Sequence, residues 1–102
     1  MGDERRADER VGVNLAAKWT GINGTHEGRV EDVSVNGCFV NTKGAVDLGE
    51  IVSLLIKLPS GPWLPLRGKV VSVLQMTGFS LSFAILDEKE QAALSQLVNS
   101  QT

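Results

Sequence analysis

This sequence predicts an all-β domain, a barrel or sandwich of six short strands followed by one C-terminal helix. Three observations carry that prediction. Eleven glycines and three prolines fall at intervals and cut the chain into short apolar segments. Within those segments apolar and polar residues alternate, which is the period of a strand with one buried face. After Leu86 the period lengthens to that of a helix.

In the first strand, Val11 to Trp19, every second residue (Val13, Leu15, Ala17, Trp19) is apolar, while Asn14 and Lys18 face the other way. Gly21-Ile22-Asn23-Gly24 supplies a turn, and a polar strand from Thr25 to Val33 follows. Gly37 precedes a short strand, Cys38 to Thr42. Ile51 to Leu58 places Val52, Leu54, Ile56 and Leu58 on one face, and Pro59-Ser60-Gly61-Pro62 ends it because proline cannot continue a ladder. Leu66 to Leu74 is the fifth strand. Thr77 to Ile85 is the sixth, with Phe79, Leu81, Phe83 and Ile85 alternating against Ser80, Ser82 and Ala84. Asp87 is the expected N-cap of the helix, with Glu90 three residues on and Leu94, Leu97 and Val98 along one side.

The 102 residues, 42% hydrophobic and 22% charged, suit one domain with one core. No apolar run approaches the ~20 residues that cross a bilayer, and the charged stretch Met1 to Arg10 lacks the apolar segment of a secretory signal. A cytoplasmic address without membrane insertion is the expectation. Ten Lys and Arg against twelve Asp and Glu give a net charge of -2, so no protein-wide positive field gathers long nucleic acids. One cysteine, Cys38, and one histidine, His26, do not make a disulfide or a zinc site; no metal, cofactor or redox chemistry is expected. His26, in the polar second strand, is expected to be exposed, and no nucleophile stands in a recognisable arrangement with it, so an enzyme is not expected. Cys38 is expected to be buried and Trp19 to lie in the core. Trp63 sits in the run Pro62-Trp63-Leu64-Pro65, read as a turn, where it either meets a partner or packs across a barrel end.

Two clusters stand out. The first is Arg5, Arg6 and Arg10, with Arg6 and Arg10 spaced R-x-x-x-R; each guanidinium can grip a phosphate or a guanine edge with paired hydrogen bonds. The second is Asp32-Val33-Ser34-Val35-Asn36-Gly37. On an extended segment Asp32 and Ser34 project to one side, where a carboxylate can accept the N1–H and N2–H of guanine and a hydroxyl can serve either role. Gly37 removes a side chain where the backbone turns or approaches a ligand. Each cluster alone has a simpler reading. Asp3, Glu4, Asp8 and Glu9 are interleaved with the arginines as in a solvated terminus, and an Asx or Ser turn accounts for residues 32–37.

Together and in this order the clusters resemble the PilZ domain, a bacterial receptor module for the second messenger cyclic di-GMP. The family pattern is R-x-x-x-R just before the first barrel strand and then D/N-x-S-x-x-G. Here these are Arg6-Ala7-Asp8-Glu9-Arg10 and Asp32-Val33-Ser34-Val35-Asn36-Gly37. Thr77-Gly78-Phe79-Ser80-Leu81-Ser82-Phe83 is similar to the family's late strand, with Ser80 where glycine is frequent.

The resemblance implies a six-stranded antiparallel PilZ-like β-barrel with a C-terminal α-helix over residues 11–102, preceded by a flexible arginine segment over residues 1–10. It implies a non-enzymatic cyclic di-GMP receptor whose ligand is held by Arg5, Arg6, Arg10, Asp32, Ser34 and Gly37. On binding, the arginine segment orders and signals to an unidentified partner protein. In the family a basic residue just before the first motif arginine accompanies a stacked pair of nucleotides, and Arg5 fills that place, implying two per chain. The alternative is a PilZ-like interaction module that works through protein contacts without nucleotide.

Overall fold

The computed structural model describes residues 9–100. Six strands form: β1 (Val11–Gly21), β2 (Gly24–Val33), β3 (Gly37–Asn41), β4 (Ile51–Lys57), β5 (Trp63–Leu74) and β6 (Gly78–Phe83). They pair antiparallel and close into a barrel in the order β1-β2-β3-β6-β5-β4, and helix α1 (Glu88–Ser100) follows. The six-stranded barrel with a terminal helix is therefore present as the sequence implied.

Alternation sets the interior. In β4, Val52, Leu54 and Ile56 are buried while Ile51, Ser53, Leu55 and Lys57 are exposed. Trp19 and Phe79, from β1 and β6, meet edge to face with ring centroids 5.1 Å apart. The indole N–H of Trp19 donates to the Thr42 hydroxyl at 3.1 Å, so its one polar atom is satisfied inside. Burial of each such large side chain stabilises by roughly 1.5 to 3 kcal/mol. The β1–β2 hairpin turns through Ile22-Asn23, and Gly24, at φ 108°, supplies the left-handed conformation that a side chain would oppose.

The helix begins as expected. The Glu90 N–H donates to Asp87 Oδ1 at 2.7 Å and the Asp87 N–H donates to Glu90 Oε1 at 3.0 Å, a reciprocal capping box. Leu94, Leu97 and Val98 are buried in the same core as the barrel interior. Among the described residues no helix is long and apolar enough to cross a membrane.

Three local expectations change. The fifth strand begins at Trp63, so Trp63-Leu64-Pro65 is strand and not turn. Proline is admitted because this part of β5 pairs with β4 alone, the register with β6 starting at Gly68. Ile85 is exposed and has φ 47°, since the chain has already left β6 at Phe83. His26 is not an exposed strand residue: its ring stacks on Trp19 at 4.5 Å, and its Nε2 is buried without a hydrogen-bond partner.

Candidate functional site

The site begins with a register irregularity in β2. Val30 and Val33 are both fully buried, although strict alternation would send residues three apart to opposite faces. The register resolves this: Val30 pairs with Val40 and Asp32 with Phe39, so one extra residue, Glu31, is accommodated on β2 as a bulge. The Glu31 carboxylate accepts a hydrogen bond from the Asn41 amide at 3.0 Å. Beyond the bulge Asp32 stands on the outside of the barrel, directly before the buried Val33. A second irregularity, between Gly12 and Leu15 of β1, lies beside it.

Arg10 immediately precedes β1, and the pairing of Gly12 with Asp32 brings the two strand ends together. Arg10 Nη1 donates to Asp32 Oδ1 at 2.7 Å, with the side chains 47% and 37% exposed. The last residue of the arginine motif and the first of the Asp-Ser motif, distant in sequence, are thus in direct contact. Arg5 and Arg6 lie outside the described residues.

Ser34 does not share the outward side of Asp32. It is buried, and its Oγ accepts the N–H groups of Asn36, at 3.1 Å, and Gly37, at 3.2 Å. The Ser34 N–H donates to the Gly37 carbonyl at 2.8 Å, closing the turn between β2 and β3. Because β2 ends at Val33, the two-residue spacing no longer fixes a common face. Gly37 is needed for a close approach between strands: a Cβ there would run into the Leu81 carbonyl oxygen of β6. The N–H of Phe83 donates to the Asn36 carbonyl at 2.8 Å and ties the turn to β6.

Two neighbours complete the surroundings. Cys38 is buried as expected, and its thiol is pushed up to about 12, first by burial and then by the Asp32 charge, with Arg10 opposing. Phe39, paired with Asp32 and flanked by the buried Cys38 and Val40, is half-buried on the outer face. This outward place is not legible in the sequence, because Cys38-Phe39-Val40 is a continuous apolar run without alternation. The arrangement offers a guanidinium, a carboxylate and an aromatic edge on one outer patch. Among the described residues no group of three His, Cys, Asp or Glu side chains could hold a metal ion.

Comparison with known proteins agrees with the fold. The fold is similar to the PilZ domain of CeSA from a cellulose-synthesizing bacterium, with a TM-score of 0.70 and 18% identity over 90% of this chain and 96% of that one. It is similar to the PilZ domain of YcgR from Escherichia coli, a structure containing cyclic di-GMP, with a TM-score of 0.77 and 13% identity over 91% and 88% of the two chains. It also resembles the inhibitor of motility MotI from Bacillus subtilis (TM-score 0.76, 17% identity); the match covers 89% of this chain and 47% of that protein. No curated protein matches significantly in sequence. The family model of the PilZ domain matches residues 4–100, and the chain belongs to that family.

Proposed function

We propose that the chain is a non-enzymatic receptor for cyclic di-GMP that passes the signal to a partner protein from the bacterial cytoplasm. The observation that carries this reading is the contact of Arg10 with Asp32 beside the Ser34–Gly37 turn, since it unites both halves of the family motif. Cyclic di-GMP presents two phosphates and two guanines. A guanidinium serves either group, and a carboxylate accepts the paired N–H donors that guanine has and adenine lacks. An exposed ion pair contributes only ~0 to 1 kcal/mol, so exchanging it for ligand contacts costs little.

Arg6, one motif step before Arg10, is assigned the second phosphate or guanine contact, and Arg5 a place beside a second nucleotide. Ser34 and Gly37 act by holding the turn that fixes Asp32. The segment 1–10 folds over the bound nucleotide and presents the new surface to the partner. The presence of cyclic di-GMP in the similar YcgR structure, and in the complex of the PlzA protein of Borreliella burgdorferi, supports the ligand class.

The test is calorimetric titration of the purified chain with cyclic di-GMP, with cyclic di-AMP as control. Binding of the first and not of the second is expected. Absence of binding to cyclic di-GMP overturns the proposal and leaves the nucleotide-independent interaction module.

A further inference from the structure

Charge is segregated around the barrel in a way that the net charge of -2 conceals. Strands β1, β4 and β5 contain none of the chain's twelve acidic residues. They carry Lys18, Lys57, Arg67 and Lys69, all exposed. The register assembles these into one array: Lys18 pairs with Leu55 and Leu55 with Pro65, Lys57 with Trp63, Ser53 with Arg67, and Ile51 with Lys69. In the closed strand order, β4 and β5 stand across the barrel from β2 and β3, which hold Asp32 and Phe39. β1 joins this wall only through Ala17 to Thr20, where it pairs with β4, while its other end reaches Asp32 at Gly12, so the basic array lies away from the nucleotide site.

The array is apolar as well as basic. Ile51, Leu55, Trp63 and Val71 are 57%, 39%, 37% and 53% exposed. The Trp63 ring has the Lys18 Nζ at 5.3 Å and the Lys57 Nζ at 5.4 Å from its centroid, so two ammonium groups flank one indole. Two carboxylates adjoin it. Glu27 of β2 is in register with Lys18, and Glu90 of α1, which lines one groove with Lys18, Leu55 and Arg67, already accepts the Asp87 N–H.

We infer that the outer wall of β1, β4 and β5 is a docking surface for an acidic segment of a partner protein, one carrying carboxylates on either side of an apolar side chain. The carboxylates meet Lys18, Lys57 and Arg67, and the apolar side chain covers Trp63 and Leu55. Charge complementarity selects this occupant. Single-stranded nucleic acid calls for successive aromatic platforms, and this wall has one, set among aliphatic residues that stack no base. A lipid surface calls for a projecting indole, whereas this one is flanked by two ammonium groups at the sheet surface.

The test is NMR titration of the full chain with the peptide Asp-Glu-Leu-Phe-Glu-Asp, capped at both ends. Phosphatidylglycerol vesicles and a thymidine oligonucleotide serve as parallel probes. Shifts confined to the outward residues of β1, β4 and β5 are expected, weakened by salt, with affinity reduced about tenfold or more in the Lys18→Glu, Lys57→Glu double variant. Because mapping on the unmodified chain precedes any substitution, the result does not depend on how the variant folds. No shifts at millimolar peptide, shifts elsewhere on the barrel, or tighter binding of vesicles or oligonucleotide than of peptide overturns the inference.

Discussion

Arg10 and Asp32, 22 residues apart, meet through a 2.7 Å hydrogen-bonded ion pair at the outer end of the β1–β2 ladder. Both side chains remain substantially exposed, which makes the pair weak as a structural element and available as a binding element. Arg10→Ala and Asp32→Ala should each change unfolding free energy by under ~1 kcal/mol in urea denaturation. Each should weaken cyclic di-GMP on the order of tenfold or more in calorimetry, since a charge-assisted hydrogen bond contributes ~1.5 to 3 kcal/mol. Unaltered affinity in either variant would remove that residue from the site.

Ser34 should behave in the opposite way. Its buried hydroxyl accepts two backbone N–H groups, and Ser34→Ala removes that acceptor, the buried Gly37 N–H bearing most of a cost of ~1 to 3 kcal/mol. Gly37→Ala should cost a comparable ~1 to 3 kcal/mol, because the new methyl group has to displace the Leu81 carbonyl. Urea denaturation measures both, and stability equal to the unmodified chain in either variant would contradict the role of the turn.

Cys38 predicts a pH dependence. Its folded value, raised to about 12 by burial and the Asp32 charge, exceeds the ordinary thiol value of 9.0 that the unfolded chain has. Between these values the unfolded chain releases a proton that the folded chain retains, so stability declines as pH rises from 9 toward 12, by at most ~1.4 kcal/mol per pH unit. Below pH 9 the thiol contributes no slope. Thermal unfolding of Cys38→Ala against the unmodified chain isolates the effect: the difference between them should narrow across that window. The native thiol should also resist alkylation until the protein unfolds.

The role proposed for Arg5 is tested by stoichiometry. Two stacked nucleotides bring four phosphates together, and a third guanidinium offsets repulsion that two leave uncompensated. Calorimetry should give two nucleotides per chain and one in Arg5→Ala. A ratio of one for the unmodified chain, or of two in the variant, would refute the role given to Arg5.

The barrel is legible because β4, β5 as far as Val70, and the apolar residues of β6 alternate, and the capping box because Asp87 and Glu90 have the spacing that the geometry uses. Pro65 obscured the start of β5, since its tolerance depends on which neighbouring strand is absent at that point. The outward aspect of Asp32 was expected, yet its cause was hidden: nothing in Val30-Glu31-Asp32-Val33 announces a bulge until β3 supplies the register. Ser34 departs from the expected outward side for a related reason: strand periodicity ends at Val33, where the turn begins. The placement of His26 is not legible because its partner ring, Trp19, comes from another strand.

The bulge at Glu31 makes the strands unequally tolerant of genetic change. Replacing Asp32 by another polar residue alters only an outer side chain, and the barrel persists. Losing a single codon at position 31 leaves Val30 and Val33 two residues apart, so plain alternation keeps both valines inside and the Asp32 carboxylate outside, and only the bulge is lost. The barrel is thus spared by either change at this place, whereas losing one residue from the unbulged β4, at Ser53 for instance, would turn part of its buried face outward.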